Sequence, residues 1–159
     1  RDVVSEGDSE PASLTNVNGV LYFTADDGEN GRELWRSNGT FAGTFMVKDV
    51  NPGSLSSSPS GFTLLAGKVY FAATETTTSR ELWVTDGTAL GTLLVADLNP
   101  LTATGISGTG NLTSAGAFVY LAATNGTTNT EAAVTDGSMA TANASSITRV
   151  SRLLRSMRL

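Results

Sequence analysis

Residues 81–92 read ELWVTDGTALGT, and residues 33–44 read ELWRSNGTFAGT, with seven of the twelve positions identical. Trp35 to Trp83, Tyr22 to Tyr70, Gly39 to Gly87 and Asp49 to Asp97 are each 48 residues apart, and Asp2 to Asp49 is 47. A decayed third copy follows at a step of 50: Tyr120 after Tyr70, Glu131 after Glu81, and VTDGS from Val134 answering VTDGT from Val84. The chain therefore divides into units at about 2–47, 48–95 and 96–150, with a basic tail at 151–159. A period of this length belongs to the propeller-blade class of repeats.

Each unit reads as four short strands, a to d. In the second they fall near 61–66, 69–74, 80–85 and 91–97. Gly67-Lys68 is expected to make the tight a–b turn there. Asn18-Gly19, Asn38-Gly39 and Asp86-Gly87 carry the Asn-Gly or Asp-Gly signal of a hairpin. Strand b is apolar on both alternating faces, with Leu21, Phe23 and Ala25 on one and Val20 and Tyr22 on the other. A surface sheet would keep one polar face, so this pattern predicts a sheet covered on both sides. The fold class expected is all-β: three four-stranded antiparallel blade-like repeats, forming a partial or open propeller. Three blades are too few to close a ring, which usually takes ~4–8.

Composition narrows the chemistry. The 159 residues are 40% hydrophobic, enough for a core, and only 16% charged. A net charge of −5 leaves the body without the basic face that nucleic acid needs. There is no His and no Cys, which removes imidazole and thiol catalysis and zinc sites of the usual ligand types. No apolar run approaches the ~20 residues of a membrane-spanning helix. A start at Arg1 rather than Met points to a piece of something longer.

The string Glu-Leu-Trp-x-x-(Asp/Asn)-Gly-Thr-x-x-Gly-Thr resembles the ELWxxDGT repeat family. It is carried here by Glu33, Leu34, Trp35, Gly39, Thr40, Gly43 and Thr44, followed by VKDVNPG from Val47. The second copy has Glu81, Leu82, Trp83, Asp86, Gly87, Thr88, Gly91 and Thr92, followed by VADLNP from Val95; the third keeps Glu131, Asp136 and Gly137. The resemblance reaches to about residue 140. It implies a propeller-like array in a bacterial exported or cell-surface protein and implies no catalytic residues. The third copy departs from the pattern, because Leu-Trp becomes Ala132-Ala133 and the aromatic anchor is lost.

The motif residues have structural jobs to offer. The Trp supplies buried area between sheets, the glycines permit the c–d turn, and the threonines bond its backbone. Glu33, Glu81 and Glu131, at one fixed position, are expected to accept backbone N–H groups from the neighbouring unit; a ligand-facing acid is the functional alternative. Asp26, Asp27, Glu29 and Asn30 offer oxygen ligands of the kind calcium prefers, but not at the spacing of the twelve-residue calcium loop. A solvated b–c loop is the plainer reading. In the tail, Arg149, Arg152, Arg155 and Arg158 alternate with apolar residues, as in a short extension or an amphipathic helix. GISGTGNLTSAG from Gly105 lacks the Lys of a phosphate loop and reads as a flexible connection.

The function expected is a non-enzymatic extracellular binding or scaffold module without a cofactor. Its partners would be a protein or glycan ligand and the remaining blades of the same or another chain, with no nucleic acid and no membrane span. The alternatives are a carboxylate-dependent hydrolase or lyase acting on glycans through Asp26 or Glu33, and a purely structural spacer.

Overall fold

The computed structural model describes residues 7–99, 105–106, 111–124, 130–136 and 147–149. These contain twelve strands and no helix. The first sheet holds β1 (Ala12–Val17), β2 (Val20–Asp26), β3 (Arg32–Ser37) and β4 (Phe45–Lys48) in sequence order. The second holds β5 (Ser60–Leu65), β6 (Lys68–Glu75), β7 (Ser79–Thr85) and β8 (Leu93–Ala96) in the same arrangement. The third holds β9 (Thr113–Ala115), β10 (Phe118–Ala123), β11 (Glu131–Thr135) and β12 (Ile147–Arg149). Every pairing is antiparallel, so each sheet is a meander.

The units match in detail. Phe23 pairs with Trp35, Phe71 with Trp83, and Leu121 with Ala133. The β3–β4 register slips between Leu34 and Trp35, and the β7–β8 register slips between Leu82 and Trp83. Left-handed backbone recurs at the same step, even where no glycine is present: φ is 42° and 45° at Glu10 and Ser58, and 52° and 50° at Asn18 and Ala66. The a–b turns are Asn18-Gly19 and Ala66-Gly67, each with positive φ at both residues, as the favoured two-residue hairpin requires. The turn thus sits one residue earlier than Gly67-Lys68. Asn38-Gly39 and Asp86-Gly87 do not form two-residue hairpins. They open longer c–d loops, because the flanking strands end at Ser37 and Thr85 and resume only at Phe45 and Leu93.

The sheets stack face against face. Tyr22, Leu34, Val47 and Val50 of the first unit meet Val69, Phe71, Ala73 and Trp83 of the second. The opposite face of the second sheet, with Tyr70, Ala72, Leu82, Val84 and Val95, meets Val119, Leu121 and Ala133 of the third. The middle sheet is covered on both sides, and five consecutive β6 residues, Val69 to Ala73, are buried. The strands at position a lie closest: β1 approaches β5, and β5 approaches β9 and β10, while β4 and β8 make no comparable approach. The wider gap at position c is filled by Trp83, beneath the Lys48 ammonium 5.9 Å from its ring. Ala133 takes that register in the third sheet, and Ile106 and Leu112 join the cluster beside it.

A third cluster, Phe23, Ala25 and Trp35 with Leu21 and Met46, lies on the far face of the first sheet. Among the described residues it is built from that sheet alone. Both tryptophans are nonetheless buried, with Trp35 3% and Trp83 5% exposed. Trp83→Ala and Trp35→Ala are each expected to lower unfolding free energy by about 3–5 kcal/mol. Urea titration followed by far-ultraviolet dichroism measures both, and a negligible loss in Trp83→Ala would refute the stacking described here.

Candidate functional site

The acidic position of the repeat motif is fully buried in the first two copies: Glu33 and Glu81 are each 0% exposed. β3 carries Glu33 inward, where Oε2 accepts from the Val50 N–H at 2.9 Å and Oε1 from the Ser57 N–H at 2.8 Å. The Ser57 hydroxyl donates to Oε2 as well. β7 carries Glu81 to the same place one unit on, with Leu98 N–H at 2.9 Å and Gly105 N–H at 2.8 Å. Both donors in each case lie on the connection leading to the next sheet. A side chain at position 105 would put Cβ 2.2 Å from Glu81 Oε2, so Glu81 as it lies needs glycine there, although serine holds the equivalent place at position 57. Burial pushes both carboxyls up to about 7, against the hydrogen bonds that pull them down.

The c–d loop is a second repeated device. Thr88 donates its N–H and hydroxyl to Asp86 Oδ1, at 2.9 and 2.7 Å, and its hydroxyl oxygen accepts from Gly91 N–H at 3.0 Å. Thr92 spends its proton on the Thr88 carbonyl at 2.6 Å, so the 2.7 Å contact with Thr85 has the Thr85 hydroxyl as donor. Asn38, Thr40, Gly43, Thr44 and Ser37 reproduce these bonds in the first unit. Gly43 and Gly91 are needed for space: a Cβ there would lie 1.8 Å from Asn38 Oδ1 or 2.1 Å from the Asp86 carboxyl. The bonds from Thr88 hold the Asp86 carboxyl below its usual value.

The seams between sheets add polar contacts. Arg36 Nη1 donates to the Gly87 carbonyl at 3.2 Å, and Lys48 Nζ to the Thr92 carbonyl at 2.9 Å. A Cβ on Gly87 would meet Arg36 Nη1 at 2.5 Å and the Tyr22 hydroxyl at 2.7 Å. Burial raises the Tyr22 hydroxyl, Arg36 opposes this, and Asp86 adds to it. Tyr70 is raised by burial and by Asp136, as Tyr22 is by burial and by Asp86.

The b–c loop is organised by its own backbone. Asp26 Oδ1 accepts from Gly28 N–H at 2.8 Å; Asp27 Oδ1 accepts from Glu29 and Asn30 N–H at 3.0 and 2.7 Å. Asn30 also donates its side-chain amide to Asp27 Oδ2 at 2.8 Å. Burial raises the Asp27 carboxyl, but the Asn30 and Glu29 bonds outweigh it and hold the group below its usual value. The four candidate calcium residues are thus adjacent, with the Asp27 carboxylate turned toward N–H groups; among the described residues no three acids converge. Two crevices open nearby. One of about 590 Å³ is lined by Glu10, Arg32, Ser58 and Ser60, with an Arg32–Glu10 ion pair at its edge. The other, of about 340 Å³, lies over the far face of the first sheet beside Leu14, Leu21, Phe23 and Gly39.

The backbone of Glu131 lies in β11 and Asp136 directly follows it. The Glu131 side chain, Gly137 and the tail at 151–159 lie outside the described residues. The stretch read as a flexible connection is pinned at Gly105 and Ile106, both of whose N–H groups reach the Arg80 carbonyl at 3.1 Å. Sequence reasoning passed over Ser57, Arg36 and Lys48. Ser57 maps onto Gly105 at the 48-residue step, but serine and glycine share no chemistry until both are seen as backbone donors. Among the described residues no helix is long and apolar enough to cross a membrane.

Comparison of the chain with protein-family models, with curated proteins and with solved structures finds no match.

The buried carboxyls make stability fall with rising pH. An acid whose folded value lies above its unfolded one binds more protons when folded. Its contribution is complete below pH 4.5 and lost as pH climbs through about 7. Unfolding free energy should decline over that window by up to ~1.4 kcal/mol per pH unit for each carboxyl. The slope should flatten in the Glu33→Gln, Glu81→Gln double variant; urea midpoints at several pH values test this. Separately, Gly91→Ala should cost roughly 1–3 kcal/mol by pushing the Asp86 carboxyl off Thr88, measurable by the same titration.

Proposed function

We propose that this chain is a non-enzymatic binding or scaffold module of the ELWxxDGT type, a run of blades from a larger radial array at or outside a bacterial cell surface. The reading rests chiefly on one observation: the acidic side chains that recur in the motif are sealed from solvent and occupied by backbone donors. A hydrolase needs a carboxyl that touches substrate, and Glu33 has no route to one. Asp26, the other candidate acid, caps Gly28 in its own loop. The close approach of the a strands and the wider, Trp-filled spacing at strand c support a fan of sheets around an axis on the β1 and β5 side. On this reading the repeats hold the loops in place, and the ligand, a protein or a glycan, is met by loops such as residues 26–31. Export and surface placement come from the resemblance alone.

The test is a screen of the chain against glycan arrays and chromogenic glycosidase substrates. Binding without turnover is expected, with affinity reduced by substitution at Asp26 or Glu29 and unchanged in Glu33→Gln where dichroism shows the fold retained. Turnover lost in a folded Glu33→Gln variant would establish the enzyme instead.

A further inference from the structure

The segments entering β1 and β5 form the walls of the crevice of about 590 Å³ at the seam between the first two sheets. Thr24 near the end of β2 and Arg32 at the start of β3 complete it, so it opens at the end of the sheet where loop 26–31 lies. Its arginine recurs at the 48-residue step, but the two copies are bonded differently. Arg80 is held within its own unit: Nη1 donates to the Ser58 carbonyl at 3.1 Å, and Nη2 to Ser60 Oγ at 2.6 Å and to the Ala72 carbonyl at 3.3 Å. Arg32 repeats the first bond, with Nη1 on the Glu10 carbonyl at 2.6 Å. It lacks the serine of the second, because Ala12 stands where Ser60 stands one unit on. Nη2 turns instead to Glu10 Oε2 at 2.5 Å. The Glu10 side chain is 69% exposed, so this ion pair sits at the edge of the crevice rather than in the core.

The rest of the lining is polar. Ser13, Thr24 and Ser60 contribute hydroxyls, and Asp8 Oδ1 accepts the Glu10 N–H at 2.9 Å, which sets a second carboxylate close to the first. Two carboxylates against one guanidinium leave the crevice negative, so an anionic ligand is repelled. A protein partner anchors through large side chains seated in dry pockets, yet the apolar side chains here are only Ala12 and two prolines. A ligand rich in hydroxyls matches better. A hydroxyl donates to a carboxylate and accepts from a guanidinium, so two neighbouring hydroxyls on one ring can engage Glu10 and Arg32 together. The volume falls within the ~300–1,000 Å³ usual for small-ligand sites. Resting on the reading of the chain as a binding module, we propose that this crevice holds a neutral sugar ring of a glycan, with Glu10 and Arg32 as the paired acceptor and donor for adjacent hydroxyls.

Amide-resolved nuclear magnetic resonance of the chain, titrated with methyl glycosides of glucose, galactose, mannose and N-acetylglucosamine, tests this, with glucuronate as the acidic comparison. At least one neutral sugar is expected to shift the amides of Ser13, Thr24 and Ser60 saturably, and glucuronate to bind more weakly. Glu10→Gln should weaken that sugar by at least ~10-fold, the effect of losing a hydrogen bond to a charged group. The amide spectrum shows whether the variant is folded, and Asp8→Ala, expected to weaken the same sugar, replaces it if it is not. The absence of a saturable shift at the crevice with any neutral sugar overturns the proposal, as does tighter binding of glucuronate, or an affinity unchanged in the folded variant. Sugar shifts confined to residues 26–31, or a glycan screen in which nothing binds while a protein ligand does, would overturn the crevice and leave the binding-module reading in place. Turnover lost in a folded Glu33→Gln variant would remove that reading instead.

Discussion

A carboxylate buried against backbone N–H groups governs how one sheet is joined to the next. A meander of four strands ends with its last strand on one edge, and the chain must then return to begin the following sheet. That return strand-to-strand connection carries N–H groups with no ladder partner, and burying them unpaired would be costly. Glu33 and Glu81 reach from strand c and take two such groups each, both on the connection. The bond fixes where the next sheet starts relative to the previous one, so the 48-residue step is a geometric constraint as much as a sequence habit.

Around that clamp, polar and apolar terms divide the work. The apolar seams supply most of the favourable energy, since a fully buried large side chain such as Phe71 contributes about 1.5–3 kcal/mol. The hydroxyl chain of the c–d loop contributes little energy per bond, but it makes a loop of fixed shape from short side chains. That shape positions the Gly87 and Thr92 carbonyls for Arg36 and Lys48. Local turn chemistry thus sets up tertiary contact, which is why Gly, Thr and Asp persist in the motif together with Trp.

The all-β character, the three meanders and the burial of both strand-b faces were legible in the sequence because a period of two and a period of 48 are both strong signals. The structural duty of Glu33 was legible for the same reason: a residue kept at each step usually solves the same packing problem. The c–d loop was misread, because Asn-Gly and Asp-Gly signal a two-residue hairpin only when the strands run up to them. Here Thr40 and Thr88 turn the Asn or Asp side chain inward and lengthen the loop. Arg36 and Lys48 were invisible because neither recurs: the second unit has Val84 and Ala96 in their places. A residue that acts at one seam alone leaves no periodic trace. The acids at 26–29 drew attention as ligands, and only coordinates reveal that N–H groups two and three residues away claim the Asp27 carboxylate.

That difference between the seams has a mechanical meaning. The first joint is cross-tied by two cations lying on carbonyl oxygens and on an indole ring; the second, at the same positions, has only aliphatic carbon. Cooling loosens oily contacts, whereas ion–dipole ties persist. One molecule therefore contains two hinges of unlike temper, and a cold or strained chain would yield at the joint behind Val84 while the joint behind Arg36 still held.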